Sequence, residues 1–129
     1  MSHISTNKTT ITQVHEGLLQ ETVELLAQAE PGIKVEVHTK DYGMRNVNCD
    51  LAIYTPNLPR GIGLNWKNKE GLEFIGDGFG HEAEYERVQK LLLITYQALA
   101  VQKCLTLMGY SMETQQPNPN LVRVEALHA

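Results

Sequence analysis

The amino-acid sequence predicts an α+β domain: a mostly antiparallel sheet with one short and one long helix packed on one face, in the order strand, helix, four strands, helix, two strands. Three observations carry this expectation. Apolar residues recur at helical spacing in two stretches, Leu18 to Ala29 and Tyr85 to Met108; between them short segments alternate at period two; and turns rich in Pro, Gly and Asn separate those segments.

The elements follow in order. His3 to Ile11 is rich in Thr, with Ile4 and Ile11 flanking a polar middle, which suits an exposed or edge strand. Thr12 is placed to cap a helix through its hydroxyl. Leu18, Leu19, Thr22, Val23, Leu25, Leu26 and Ala29 then line a helical stripe, and Pro31-Gly32 stops it. Ile33 to His38 alternates apolar with polar as a half-buried strand does, and Asp50 to Thr55 repeats the pattern after a polar loop. Pro56 and Pro59 together force a turn, because each fixes its own φ and restrains the residue before it. Ile62, Leu64 and Trp66 alternate again, Asn68-Lys69-Glu70-Gly71 reads as a hairpin connection, and Leu72 to Ile75 runs back. The middle of the chain is therefore an antiparallel meander.

The long helix carries two apolar stripes: Tyr85, Val88, Leu92, Tyr96 and Leu99, and beside them Leu91, Ile94, Ala98, Val101, Leu105 and Met108. Two stripes cover more than the usual third of a helix surface, so the helix is buried on more than one side. The second stripe either meets the first helix and the sheet or meets another subunit, which makes Leu91, Ile94, Val101 and Leu105 candidate interface residues. Gly109 closes the helix, and Tyr110 to Gln116 and Leu121 to Leu127 form a last hairpin about Pro117-Asn118-Pro119-Asn120.

At 129 residues, 42% hydrophobic and 20% charged, the chain reads as one globular domain spanning residues 1–129. Its formal charge of -4 and the lack of any Lys/Arg run disfavour nucleic acid as a partner. Cys49 and Cys104 form no C-x-x-C pair and read as small core side chains in a reducing cytosol, with a disulfide as the lesser alternative. The N-terminus has no apolar segment behind a basic head, and the longest aliphatic run is Leu91 to Ile94. No signal peptide and no membrane partner are expected, and the cytoplasm is the expected compartment, or the plastid stroma if the chain is algal.

The stretch Phe74-Ile75-Gly76-Asp77-Gly78-Phe79-Gly80-His81-Glu82 joins a strand to the long helix, the setting of an anion cradle. It misses the dinucleotide fingerprint, because His81 stands where the third glycine belongs, and it lacks the lysine of a P-loop. Asp77, Glu82, Glu84 and Glu86 would repel a phosphate and already complement the helix dipole. The stretch therefore reads as a structural turn, with Asp77, Gly78 and His81 as candidate binding residues. Asp77, His81 and Glu82 are candidate metal ligands, although no H-E-x-x-H spacing supports them. The five histidines, His3, His15, His38, His81 and His128, lie in separate segments. Each reads as a structural residue, with His3 as a further copper or nickel candidate behind a free N-terminus. Cys49 lies beside Asp50, whose charge raises a thiol pKa, and no nucleophile elbow occurs, so acyl transfer has no support. Trp66, bracketed by Arg60, Lys67 and Lys69, is the candidate platform for single-stranded RNA.

The start Met1-Ser2-His3-Ile4-Ser5-Thr6, the strand and amphipathic helix after it, the Leu64-Asn65-Trp66 strand, the long helix beginning near Glu84 and the closing Gly109-Tyr110-Ser111-Met112-Glu113-Thr114 resemble the hypothetical open-reading-frame family ycf thirty-five of cyanobacteria and algal chloroplasts. The chain departs from that pattern at Ile94-Thr95-Tyr96-Gln97-Ala98 and lacks a terminal Arg-Trp. The resemblance implies a compact intracellular α+β domain and supplies no catalytic residue. The expected function is a non-enzymatic binding or adaptor domain, without a cofactor, that meets a protein partner or a second copy of itself. The alternatives are a small metal-dependent enzyme on Asp77, His81 and Glu82, and RNA binding over Trp66.

Overall fold

A computed structural model describes residues 4–109, 111–114 and 124–127. It is an α+β structure with two helices, a five-stranded antiparallel sheet and helix packed against the sheet. The elements are β1 (Ser5–Lys8), α1 (Glu16–Ala29), β2 (Lys34–Lys40), β3 (Asn46–Thr55), β4 (Leu58–Asn65), β5 (Glu73–Gly76), α2 (Glu82–Leu107), β6 (Ser111–Thr114) and β7 (Val124–Leu127). This is the order the sequence predicts. By packing the chain divides into two units, one of residues 1–14 and 32–88, the other of residues 15–31 and 89–129.

In the first unit the strands lie in the order β1-β5-β4-β3-β2, so β2 to β5 form the expected meander and β1 joins it beside β5. The ladder places Ile53 opposite Ile62 and Leu64 opposite Phe74. Residues directly opposite share a sheet face, and these four are fully buried on one of them; Leu58 is buried as well. Tyr85 and Val88 of the first turns of α2 are also buried, and a Cβ added to Gly76 or Gly78 would meet the Tyr85 ring. Only glycine lets that helix start come so close to the end of β5.

The turn between β3 and β4 is shorter than the two prolines imply. Thr55 pairs with Leu58, leaving Pro56-Asn57 as the whole connection, and Pro59 lies inside β4. The β5 partners of β4 run only from Gly63 to Asn65, so at Pro59 the ladder is one-sided and a missing N–H is tolerated.

The second unit holds α1 and α2 from Gln89 onward. Leu18, Leu19, Val23 and Leu26 are buried along α1, as the helical spacing predicts. Thr12 does not cap this helix. The cap position is His15, which makes no side-chain capping bond; its backbone N–H donates to the Tyr96 hydroxyl at 3.0 Å, tying the start of α1 to the middle of α2. Gly109 has φ 90°, the left-handed closure expected of it, and its N–H donates to the Thr106 carbonyl at 3.1 Å. β6 and β7 pair as an antiparallel hairpin, from Ser111 opposite Leu127 to Thr114 opposite Val124. The Pro117 to Asn120 turn, His3 and His128 lie outside the described residues. Among the described residues no helix is long and apolar enough to cross a membrane.

Candidate functional site

Two places hold the candidate residues singled out by sequence, and a third stands apart from them. The first is the loop from β5 to α2. Asp77 is 2% exposed, its Oδ1 accepts the Phe79 N–H at 3.0 Å, and its Oδ2 has no hydrogen-bond partner. Arg60 of β4, 8% exposed, supplies the charge opposite: its Nη2 lies 3.9 Å from Asp77 Oδ1 and its Nε donates to the Asp77 carbonyl at 3.1 Å. Nη2 also donates to the Phe79 carbonyl. The guanidinium thus holds the loop by its backbone, a task suited to its rigid fork of donors. Outside it stand Tyr42, whose ring the guanidinium faces at 5.3 Å, and Phe79, edge-on to Tyr42 at 6.0 Å.

His81 and Glu82 do different work from Asp77. The His81 carbonyl accepts the first helical N–H, from Tyr85, at 2.9 Å. Glu82 turns its carboxylate back onto the Gly80 N–H at 2.8 Å, and that bond holds its pKa below the usual carboxylate value. Both are caps at a helix start. Among the described residues no group of three or more His, Cys, Asp or Glu side chains could hold a metal ion. Gly78 lies in the same loop against the Tyr85 ring. Trp66 is half-buried at the end of β4, where Lys67 alone of its three basic companions is over the ring, at 5.8 Å; Arg60 is spent on the loop.

The second place is the second stripe of α2. The first stripe, Tyr85, Val88, Leu92, Tyr96 and Leu99, is buried throughout. The second divides. Leu91 is buried, whereas Ile94 is 55% exposed, Val101 53% and Met108 66%, with Ala98 and Leu105 between them half-buried. Cys104, expected in the core, is exposed, because its turn of the helix lies on the uncovered side. Cys49 is half-buried on β3, and burial first, then the Asp50 charge, pushes its thiol pKa up.

Comparison with protein-family models, with curated proteins and with solved structures finds no match for this chain.

The third place has no counterpart in the sequence reading. A groove of about 700 Å³ runs along β2 and β3 of the first unit, lined by Lys34, Glu36, His38, Lys40, Asn46 and Tyr54, with Pro56 and Pro59 at one end. The four β2 residues are alternate positions of one strand and so share a face. Nothing in period or motif joins them to Tyr54. The signal that could have found them is the polar half of the alternation in Lys34 to Lys40, which carries four ionisable side chains in seven residues.

Proposed function

We propose that this chain is a non-enzymatic binding domain that pairs with a second copy of itself through the outer stripe of α2. The observation that carries the reading is the spacing of the uncovered residues. Ile94, Ala98, Val101, Leu105 and Met108 follow one another at four, three, four and three, the repeat of a helix-pairing seam. The seam from Ile94 to Met108 is roughly 21 Å long at the helical rise. Gln97 and Cys104 flank it on the outer side, so a symmetric pairing sets no charge against its like. The same reading takes the chain as a divergent relative of the ycf thirty-five family, on its N-terminal residues and element order alone.

The test is sedimentation of the whole chain across the micromolar range, with Ile94→Lys and Val101→Lys beside it. A dimer that either substitution dissociates, with the thermal midpoint of the monomer unchanged, is the expected result. A monomer at every concentration, or a dimer indifferent to both substitutions, removes the proposal.

A further inference from the structure

We infer that the β2–β3 groove is a binding site for a small planar aromatic anion. Its volume of about 700 Å³ falls in the range of small-molecule sites. The sheet register gives it two ends: Lys34 lies opposite Tyr54, and Lys40 lies opposite Asn46. Six residue steps along β2 separate these ends by roughly 20 Å, and opposite Glu36 to His38 the β3 segment Asn48 to Ala52 carries the extra residues of a bulge.

Tyr54 is a fixed platform. Its hydroxyl donates to the His38 carbonyl at 2.6 Å, and its ring lies against Gly61, where φ is 72° and an added Cβ would stand 2.8 Å from ring carbons. A ring held by its hydroxyl and seated on bare backbone loses little freedom when another ring stacks on it. The charges are arranged around that platform. Lys34 and Lys40 bring two ammonium groups to the groove against the single carboxylate of Glu36, in a chain whose overall charge is -4. The Lys40 Nζ is oriented by a 2.7 Å bond to Asn46 Oδ1. A local excess of cation on an acidic molecule, beside an aromatic face, selects a compact ligand that has both a ring and an anionic group. A polyanion would meet Glu36 and the chain's net charge.

Phosphate and carboxylate both satisfy this chemistry, and four probes separate the possibilities: adenosine monophosphate, anthranilate, adenosine and inorganic phosphate, each titrated into the full chain by heteronuclear NMR. Saturable shifts of Tyr54 and Lys40 neighbours with adenosine monophosphate identify the phosphate form of the ligand, and with anthranilate the carboxylate form; either supports the site. Tyr54→Leu is expected to weaken that binding about tenfold, as loss of a stacking partner does. A small ligand reaches one end of the groove, so Lys34→Gln or Lys40→Gln, one and not both, is expected to weaken it about threefold, with the thermal midpoint of either variant unchanged. No saturable binding of either aromatic anion, equal binding of adenosine or of inorganic phosphate, or affinities unmoved by the lysine substitutions would overturn the assignment. None of these outcomes depends on the α2 seam.

Discussion

The Arg60 Nε donates to the carbonyl oxygen of Asp77 at 3.1 Å, joining the middle of a buried strand to the loop that launches the long helix. Seventeen positions separate the two residues in the chain, and both are buried. Arg60→Met should therefore cost about 3 kcal/mol, since it leaves the Asp77 carboxylate buried without its cation. Chemical denaturation measures this. The double change Arg60→Met with Asp77→Asn should recover part of the loss, because the amide still accepts the Phe79 N–H and carries no charge. Arg60→Lys should not match the native protein, as one ammonium cannot serve two carbonyls and a carboxylate in that geometry.

Glu84 supplies a test in acid. Its carboxylate accepts from Arg87 Nε at 2.6 Å and from the Thr55 hydroxyl at 2.5 Å. The Arg87 hydrogen bond is the main cause of a pKa below the ordinary 4.5; burial opposes it, and Thr55 and the Arg87 charge assist. A folded-state pKa below the unfolded one contributes stability that is present above 4.5 and lost as pH falls through the lower, folded value. Glu84→Gln should flatten that part of the stability profile below pH 4.5, measured by urea unfolding at successive pH values.

The two stripes of α2 should separate in their response to truncation. Leu92 is fully buried and Ile94 is 55% exposed. Leu92→Ala should cost about 3 kcal/mol, the sum of lost transfer energy and the cavity left behind. In the monomer Ile94→Ala should change stability by no more than about 0.5 kcal/mol. Equal losses at the two positions would place Ile94 in the core.

The cysteines should differ in reactivity. Cys104 is exposed, whereas Cys49 is half-buried with a raised thiol pKa and so carries less thiolate at neutral pH. Iodoacetamide followed by mass spectrometry should label Cys104 first, with Cys49 slower by about tenfold. Comparable rates would contradict the burial of Cys49.

Gly61→Ala should destabilise the first unit by about 2 kcal/mol. It imposes a side chain on a φ of 72° and drives its Cβ into the Tyr54 ring. The same substitution should shift the Tyr54 ring resonances.

The element order was legible because period and punctuation act locally. Leu18 to Leu26, the strand alternations and Gly109 each announce themselves within a few residues. Thr12 misled because a capping residue is recognised by the helix that follows, and here the Tyr96 hydroxyl, 81 positions away, takes the N–H of His15 and fixes the start. Pro59 misled because its tolerance depends on where a neighbouring strand stops pairing. On α2 the stripes could be counted, but their burial could not: apolar residues lie nearly all round, and only packing separates Leu91 from Ile94. The loop site was half legible. The glycines and acids of Phe74 to Glu82 stood out, while Arg60, which organises Asp77, looked like a companion of Trp66 because a contact across two strands leaves no mark on sequence spacing.

The lysines at the two ends of β2 bear on the fate of the unfolded and partly folded chain. Among the described strands β2 has a neighbour on one side only, and Val35 and Val37 stand 43% and 60% exposed on it. A flat apolar edge of this kind invites stacking of further strands and growth into fibrils. Lys34 and Lys40 set like charges at both ends of any stacked pair in parallel alignment. The charges that line the groove thus also guard the sheet against polymerisation.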